Sequence, residues 1–317
     1  MKIAFVGKGG SGKTTLTSLF VRFLGAARLP VLAVDADINQ HLAAALGLDD
    51  LPVPPIGHHL DTLKDYLRGD NPLIASAAAM VKTTPPGRGS RLLTVAEPNE
   101  LWRMFGVRVA GATLLSTGEF TEEDLGVSCY HSKVGAAELL LNHLAEGPDE
   151  YVVVDMTAGA DSFASGMFTR FDHTFLVAEP TRRGVSVYQQ YRRYARDHDI
   201  PLSVVGNKIG GPADVAYLRR EIGDDLVGWL EQSVVVRAQE QGETLSLDQL
   251  EPHNVRTLAL LKETADASGQ DWQRLTRQAV EFHLRNAAAW ANDAMGFDLA
   301  TQVDPGFEPG PAAYSRR

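Results

Sequence analysis

Gly7-Lys8-Gly9-Gly10-Ser11-Gly12-Lys13-Thr14 follows the apolar run Ile3-Ala4-Phe5-Val6 and precedes Leu16, Leu19, Phe20, Phe23 and Leu24. The run reads as a buried strand. The later residues recur at i, i+3, i+4, i+7 and i+8, one face of a helix. Strand, glycine loop and helix together form the context of a phosphate-binding loop. Gly7, Gly9, Gly10 and Gly12 let successive backbone N–H groups, with those of Ser11 and Thr15, turn inward around an anion. The helix start adds its free N–H groups and the positive end of its dipole. Lys13 is then expected to reach the outer phosphates of a nucleotide, and the Thr14 hydroxyl to bind Mg²⁺.

A second lysine, Lys8, stands directly after the first glycine and makes the string KGGSGKTT. This resembles the deviant Walker A of the MinD/ParA/nitrogenase-iron-protein group of P-loop ATPases. The resemblance implies a homodimer that sandwiches ATP, with Lys8 crossing to the partner's phosphates as a catalytic group beside Lys13. Read without it, Lys8 is a solvated loop lysine.

Composition is consistent with a soluble globular chain: 317 residues, 44% hydrophobic and 22% charged. A net charge of −10 argues against general nucleic-acid binding, which needs a basic face. No apolar run approaches the roughly 18 residues of a membrane span. With a core strand expected from the second residue, no signal peptide is expected, and one cysteine excludes an intramolecular disulfide framework. The expected location is the cytoplasm.

Pro30-Val31-Leu32-Ala33-Val34-Asp35 reads as a second buried strand, ending in Asp35-Ala36-Asp37. Open α/β sheets bind their ligands at such carboxyl ends. In the family this resembles switch I, where the counterpart of Asp37 orients the attacking water and that of Asp35 supports the metal's water shell. A turn and a helix cap are the alternative. Tyr151-Val152-Val153-Val154-Asp155 has the make-up of a Walker B strand, with Asp155 holding Mg²⁺ through water. Asp155-Met156-Thr157-Ala158-Gly159 resembles switch II, in which Gly159 would sense the outer phosphate. Asn207, at the end of 202–206, resembles the group's base-reading asparagine and is followed by Lys208. Gly210 stands where a guanine-reading motif needs aspartate, which favours adenine. The stretch 233–242, with Val235, resembles a loop and helix beside the base, although the family's preceding proline is missing.

Further strands are expected at 92–96, 112–116 and 174–178. Helices are expected at 59–68, 72–81, 134–144, 184–198, 252–267 and from 271 to about 295. This pattern predicts an α/β fold with a doubly wound, mostly parallel sheet and helices on both faces. Residues 1–300 are expected to form a single ATPase domain whose helical C-terminal segment covers about 252–295. The Pro/Gly-rich stretch 301–317 reads as an extended or disordered tail.

Cys129 and His131 lie just ahead of a predicted helix, a setting that lowers a thiol's pKa. Two ligands do not complete a zinc or nickel site; two chains about a two-fold axis would supply Cys₂His₂. A buried cysteine with a capping histidine is the alternative. Among the branches of the group, MKIAFVGKGGSGKTT, VLAVDAD, VVVDMTAG, EPTRRGVSVY and VVGNK most resemble the CooC-type maturation ATPases of carbon monoxide dehydrogenase. That resemblance implies Mg²⁺-dependent ATP hydrolysis by a nucleotide-switched dimer that serves metallocentre maturation or nickel insertion in a client metalloenzyme. The departure is that only Cys129 with His131 could stand in for the branch's paired cysteines. The alternative is a partner-regulating or positioning ATPase of MinD/ParA type, with no transition metal.

Overall fold

A computed structural model describes residues 1–119, 130–159, 163 and 166–315, the side chains of 130–132 excepted. Eight strands form one sheet: β1 (Lys2–Gly7), β2 (Val31–Ala36), β3 (Val107–Val109), β4 (Ala112–Ser116), β5 (Tyr151–Met156), β6 (His173–Ala178), β7 (Leu202–Ile209) and β8 (Leu226–Glu231). Their order across the sheet is β3-β4-β2-β5-β1-β6-β7-β8, parallel throughout except for the β3–β4 pair. The sheet is therefore doubly wound and mostly parallel, as its sequence pattern predicts.

Side chains alternate across each strand, and the central strands bury both faces. Ile3 and Phe5, with Val31, Ala33, Val153 and Phe175, pack under the helices Lys13–Ala26 and Pro252–Ser268. Phe5 stacks on Phe175 at 5.5 Å and meets Phe20 edge-on at 5.6 Å. Ala4 and Val6, with Leu32, Val34, Val152 and Val154, pack under the helices Tyr130–Asn142, Arg182–Asp197 and Pro212–Ile222. Each large apolar side chain so buried contributes about 1.5–3 kcal/mol.

The register decides where the chemistry sits. Phe5 pairs with Asp155 between β1 and β5, Asp35 with Asp155 between β2 and β5, and Asp35 with Ser116 between β2 and β4. The carboxyl ends of four strands therefore finish level with one another.

The edge strand β8 is closed off by side chains. Buried Asn254 accepts from Glu231 N at 2.9 Å and donates to Glu231 O at 3.2 Å, while the Thr257 hydroxyl donates to Trp229 O at 2.8 Å. Groups that would otherwise recruit a further strand are occupied.

Three expected elements differ. The stretch 72–81 holds only a 3₁₀ turn, Ala77–Ala79. Asn71 Oδ1 accepts from Leu73 N at 2.9 Å, and Arg68 donates to Ile74 O at 2.7 Å, so local side chains take the backbone groups a helix would use. The stretch 92–96 makes a lone parallel bridge, Leu93 to Leu144. Val95 N and Ala96 N donate instead to the Glu150 carboxylate, at 3.1 and 2.8 Å. Residues 301–315 are folded back rather than extended or disordered. Gln302 is buried and donates to Ala79 O at 2.7 Å, Asp304 pairs with Arg88 at 3.0 Å, and Pro311–Tyr314 is a helical turn. Gly310, at φ 152°, comes so close to Trp272 that an added Cβ would sit 3.1 Å from the ring, so both its backbone conformation and its packing require glycine.

Candidate nucleotide site

The glycine loop leaves β1 at Gly7 and enters the helix at Lys13. Gly12 caps that helix with φ 91°, and a side chain there would collide with Asn207 Nδ2. Gly7 is closed in as well: a Cβ would lie 2.6 Å from Val177 O. Both positions therefore demand glycine. Ser11 is buried, and its hydroxyl has no hydrogen-bond partner among the described residues.

The residues that were far apart in sequence meet here. Lys13 is only 5% exposed, and its Nζ lies 3.7 Å from Asp37 Oδ2. Thr14 donates to Asp155 Oδ2 at 2.6 Å. Asp35 accepts from Asp37 N at 3.2 Å and from Leu42 N at 2.8 Å, so its carboxylate anchors the following turn. Asp37 in turn accepts from Asn39 N at 3.0 Å. Burial pushes the Asp155 carboxyl up to about 7, against the hydrogen bond from Thr14 and the charge of Lys13. Burial and the neighbouring Asp155 hold Asp35 well above the ordinary carboxylate range. Three carboxylates share this pocket with one lysine, so it is short of positive charge. Hard oxygen donors in that balance suit Mg²⁺.

Ala158 abuts the loop, with its Cβ 3.9 Å from where one on Gly9 would stand. This brings Gly159, at φ 67°, to the loop's edge. Asn207 does not stand free to read a base: its Nδ2 donates to Ser11 O at 2.8 Å. Lys208 Nζ donates to Gly10 O at 2.6 Å. Both residues brace the loop from β7. Val235 sits half-buried on the first turn of the helix Val234–Glu240, whose Glu240 accepts from the Thr15 hydroxyl at 3.4 Å. Cys129 lies outside the described residues, as does the His131 side chain. Among the described residues no group of three or more His, Cys, Asp or Glu side chains is placed to hold a metal ion by itself.

Two residues escaped the sequence reading. Glu179, just beyond β6, pairs with Lys8 at 3.4 Å and with Lys208 at 2.8 Å. It obeys the same strand-end rule as Asp35 and Asp155, and that rule could have found it. Gln40 lies in the turn after Asp37 and reaches across to the end of β4. No sequence signal marked it.

Residues 3–275 match the family described as the CobQ/CobB/MinD/ParA nucleotide binding domain. The chain belongs to this family. Within it, the chain is 30% identical over 243 residues to the carbon monoxide dehydrogenase accessory protein CooC of Rhodospirillum rubrum, covering 76% of this chain and 87% of that protein. An uncharacterized ATP-binding protein of Methanocaldococcus jannaschii is 28% identical over 253 residues, covering 78% and 92%. Among solved structures, the septum site-determining protein MinD of Pyrococcus horikoshii, in complex with Mg-ADP, superposes with a TM-score of 0.56. It shares 16% identity, over 84% of this chain and 97% of that one. A ParA family ATPase of Chlorobium tepidum gives 0.53 at 14% identity, over 84% and 98%. These two likenesses show the fold of the CobQ/CobB/MinD/ParA family member. Among the described residues no helix is long and apolar enough to cross a membrane.

Proposed function

We propose that this CobQ/CobB/MinD/ParA family member is a Mg²⁺-dependent ATPase that works as a nucleotide-switched homodimer in metallocentre maturation, as a CooC-like accessory protein. The observation that supports hydrolysis most is the meeting of Lys13, Thr14, Asp37 and Asp155 at level strand ends, within a pocket short of positive charge.

In this reading the loop's backbone N–H groups and Lys13 bind the phosphates and stabilise charge on the transferred group. Thr14, Asp155 and Asp35 would hold Mg²⁺, which supplies neutralisation of phosphate charge. Asp37, at the pocket's edge, holds and orients the attacking water. Lys8 would act on the nucleotide of a partner copy. Asn207 and Lys208 keep the loop in shape, and Gly159 and Val235 flank the outer phosphate and the base.

The CooC-like role rests on the 30% identity to that accessory protein. It gives Cys129 and His131 a task as an intersubunit zinc or nickel site. The client would be a metalloenzyme, and the compartment the cytoplasm.

Hydrolysis is tested by phosphate release from ATP with Mg²⁺. Lys13→Ala is expected to abolish binding or turnover, and Asp37→Ala to bind nucleotide without turning it over. Unchanged hydrolysis in both sinks the catalytic assignment. The metallocentre role is tested by metal content per dimer after gel filtration with ADP or ATP, for wild type and Cys129→Ala. About one zinc or nickel per dimer, lost in the variant, is expected from the shared Cys₂His₂ arrangement. No bound metal under any nucleotide condition, after metal is supplied, points instead to a partner-regulating switch of MinD/ParA type.

A further inference from the structure

Gln40 follows the proposed water-positioning Asp37 by three residues, and its backbone is left-handed, at φ 49°. For a side chain larger than glycine, asparagine or aspartate that conformation is unfavourable, because Cβ crowds the following carbonyl oxygen. It persists where surrounding contacts over-determine it, most often at functional sites.

The contacts are on one amide. Its Nε2 donates to Asp37 O, to Thr117 Oγ1 at 3.1 Å and to Asp35 O at 3.4 Å. Its Oε1 accepts from Gly118 N at 3.2 Å and from the Ser116 hydroxyl. Carbonyl oxygens only accept and a backbone N–H only donates, so the amide's orientation is settled by its partners. The same two segments also meet without it, through the β2–β4 pairing of Asp35 with Ser116 and through Thr117, whose N and Oγ1 each donate to Asp35 O at 3.0 Å. Gln40 therefore straps the turn that carries Asp37 to the outer end of β4.

We infer that Gln40 is a positioning residue for hydrolysis, whose side-chain amide holds the 35–37 turn against residues 116–118 so that Asp37 keeps its aim on the attacking water. This rests on the reading of Asp37 given above. Gln40 acts through the main chain of Asp37, whose own side chain is held at 3.0 Å by Asn39 N. A displacement of about 1 Å in such a group can lower turnover by about 100-fold.

The test compares wild type, Gln40→Gly, Gln40→Glu and Asp37→Ala in nucleotide affinity, melting temperature and steady-state kcat. Glycine accepts the left-handed backbone without strain, so Gln40→Gly removes the amide and relieves the turn. It is expected to melt no lower than wild type and to bind nucleotide within about twofold, with kcat down by about 10–100-fold. Gln40→Glu is expected to lose kcat similarly, because its carboxylate would face the carbonyls of Asp35 and Asp37. A Gln40→Gly variant with wild-type kcat, beside an inactive Asp37→Ala, overturns the role of Gln40 alone. Parallel loss of affinity, stability and kcat in Gln40→Gly overturns it too, by showing a merely structural brace. Full turnover in Asp37→Ala removes the reading on which the inference rests.

Discussion

Lys8 is held by Glu179 of its own chain: Lys8 Nζ lies 3.4 Å from Glu179 Oε2, while the other carboxylate oxygen takes Lys208 at 2.8 Å. Burial alone would raise the Glu179 carboxyl, but the hydrogen bond from Lys208 and the charges of Lys208 and Lys8 bring it below the ordinary range. A lysine proposed to serve a partner's nucleotide is thus engaged at home first.

Releasing that lysine has a predictable direction. Lys8 is 36% exposed at its side chain, and pairs so placed are worth about 0.2–1 kcal/mol. Glu179→Gln is therefore expected to raise the ATP-dependent dimer association constant by about 1.4- to fivefold, read by sedimentation with ATP. A constant equal to or below wild type would show that Glu179 does not restrain Lys8.

His173 predicts an acid-sensitive stability. Burial lowers its pKa to about 4, and its Nδ1 shares a 2.7 Å hydrogen bond with Ser268 Oγ. Because the folded pKa lies below the unfolded value of about 6.5, the folded state binds fewer protons between those limits. The contribution is present above pH 6.5 and is lost as pH falls towards 4. Asp172 works the opposite way. Burial raises its pKa to about 6, so its contribution fades as pH rises from about 4 to 6. The His173→Asn difference isolates the histidine: its melting temperature is expected to gain on wild type as pH drops from 6.5 to 4.5. A constant difference across that window would remove His173 as the cause.

The plug on β8 predicts a stability loss at a distance from the nucleotide loop. Asn254→Ala leaves Glu231 N and Glu231 O without their partner at a site where Asn254 is 1% exposed. Unmet hydrogen bonds of this kind are unfavourable by about 1–3 kcal/mol. Thermal or urea unfolding is expected to show that loss while ADP affinity stays unchanged. A melting temperature equal to wild type would mean that water replaces the asparagine without penalty.

The sheet and the glycine loop are legible in the amino-acid order alone. Apolar runs of four to six residues ending in Gly7, Asp35 and Asp155 carry their own positional meaning, because strand, turn and helix are local patterns of period and glycine placement. The helix at 72–81 and the strand at 92–96 failed for the complementary reason. Arg68, Asn71 and Glu150 claim their backbone groups, and the reach of a side chain is not written in local periodicity. The partnerships between distant residues come from the folded arrangement. Lys8 with Glu179 spans 171 positions and Gln40 with Thr117 spans 77, distances at which contact depends on strand order and register rather than on neighbouring residues. It also decided the posture of Asn207, which a strand-end pattern offers to a base but which folding turns onto Ser11 O, because Gly12 leaves room there for its amide.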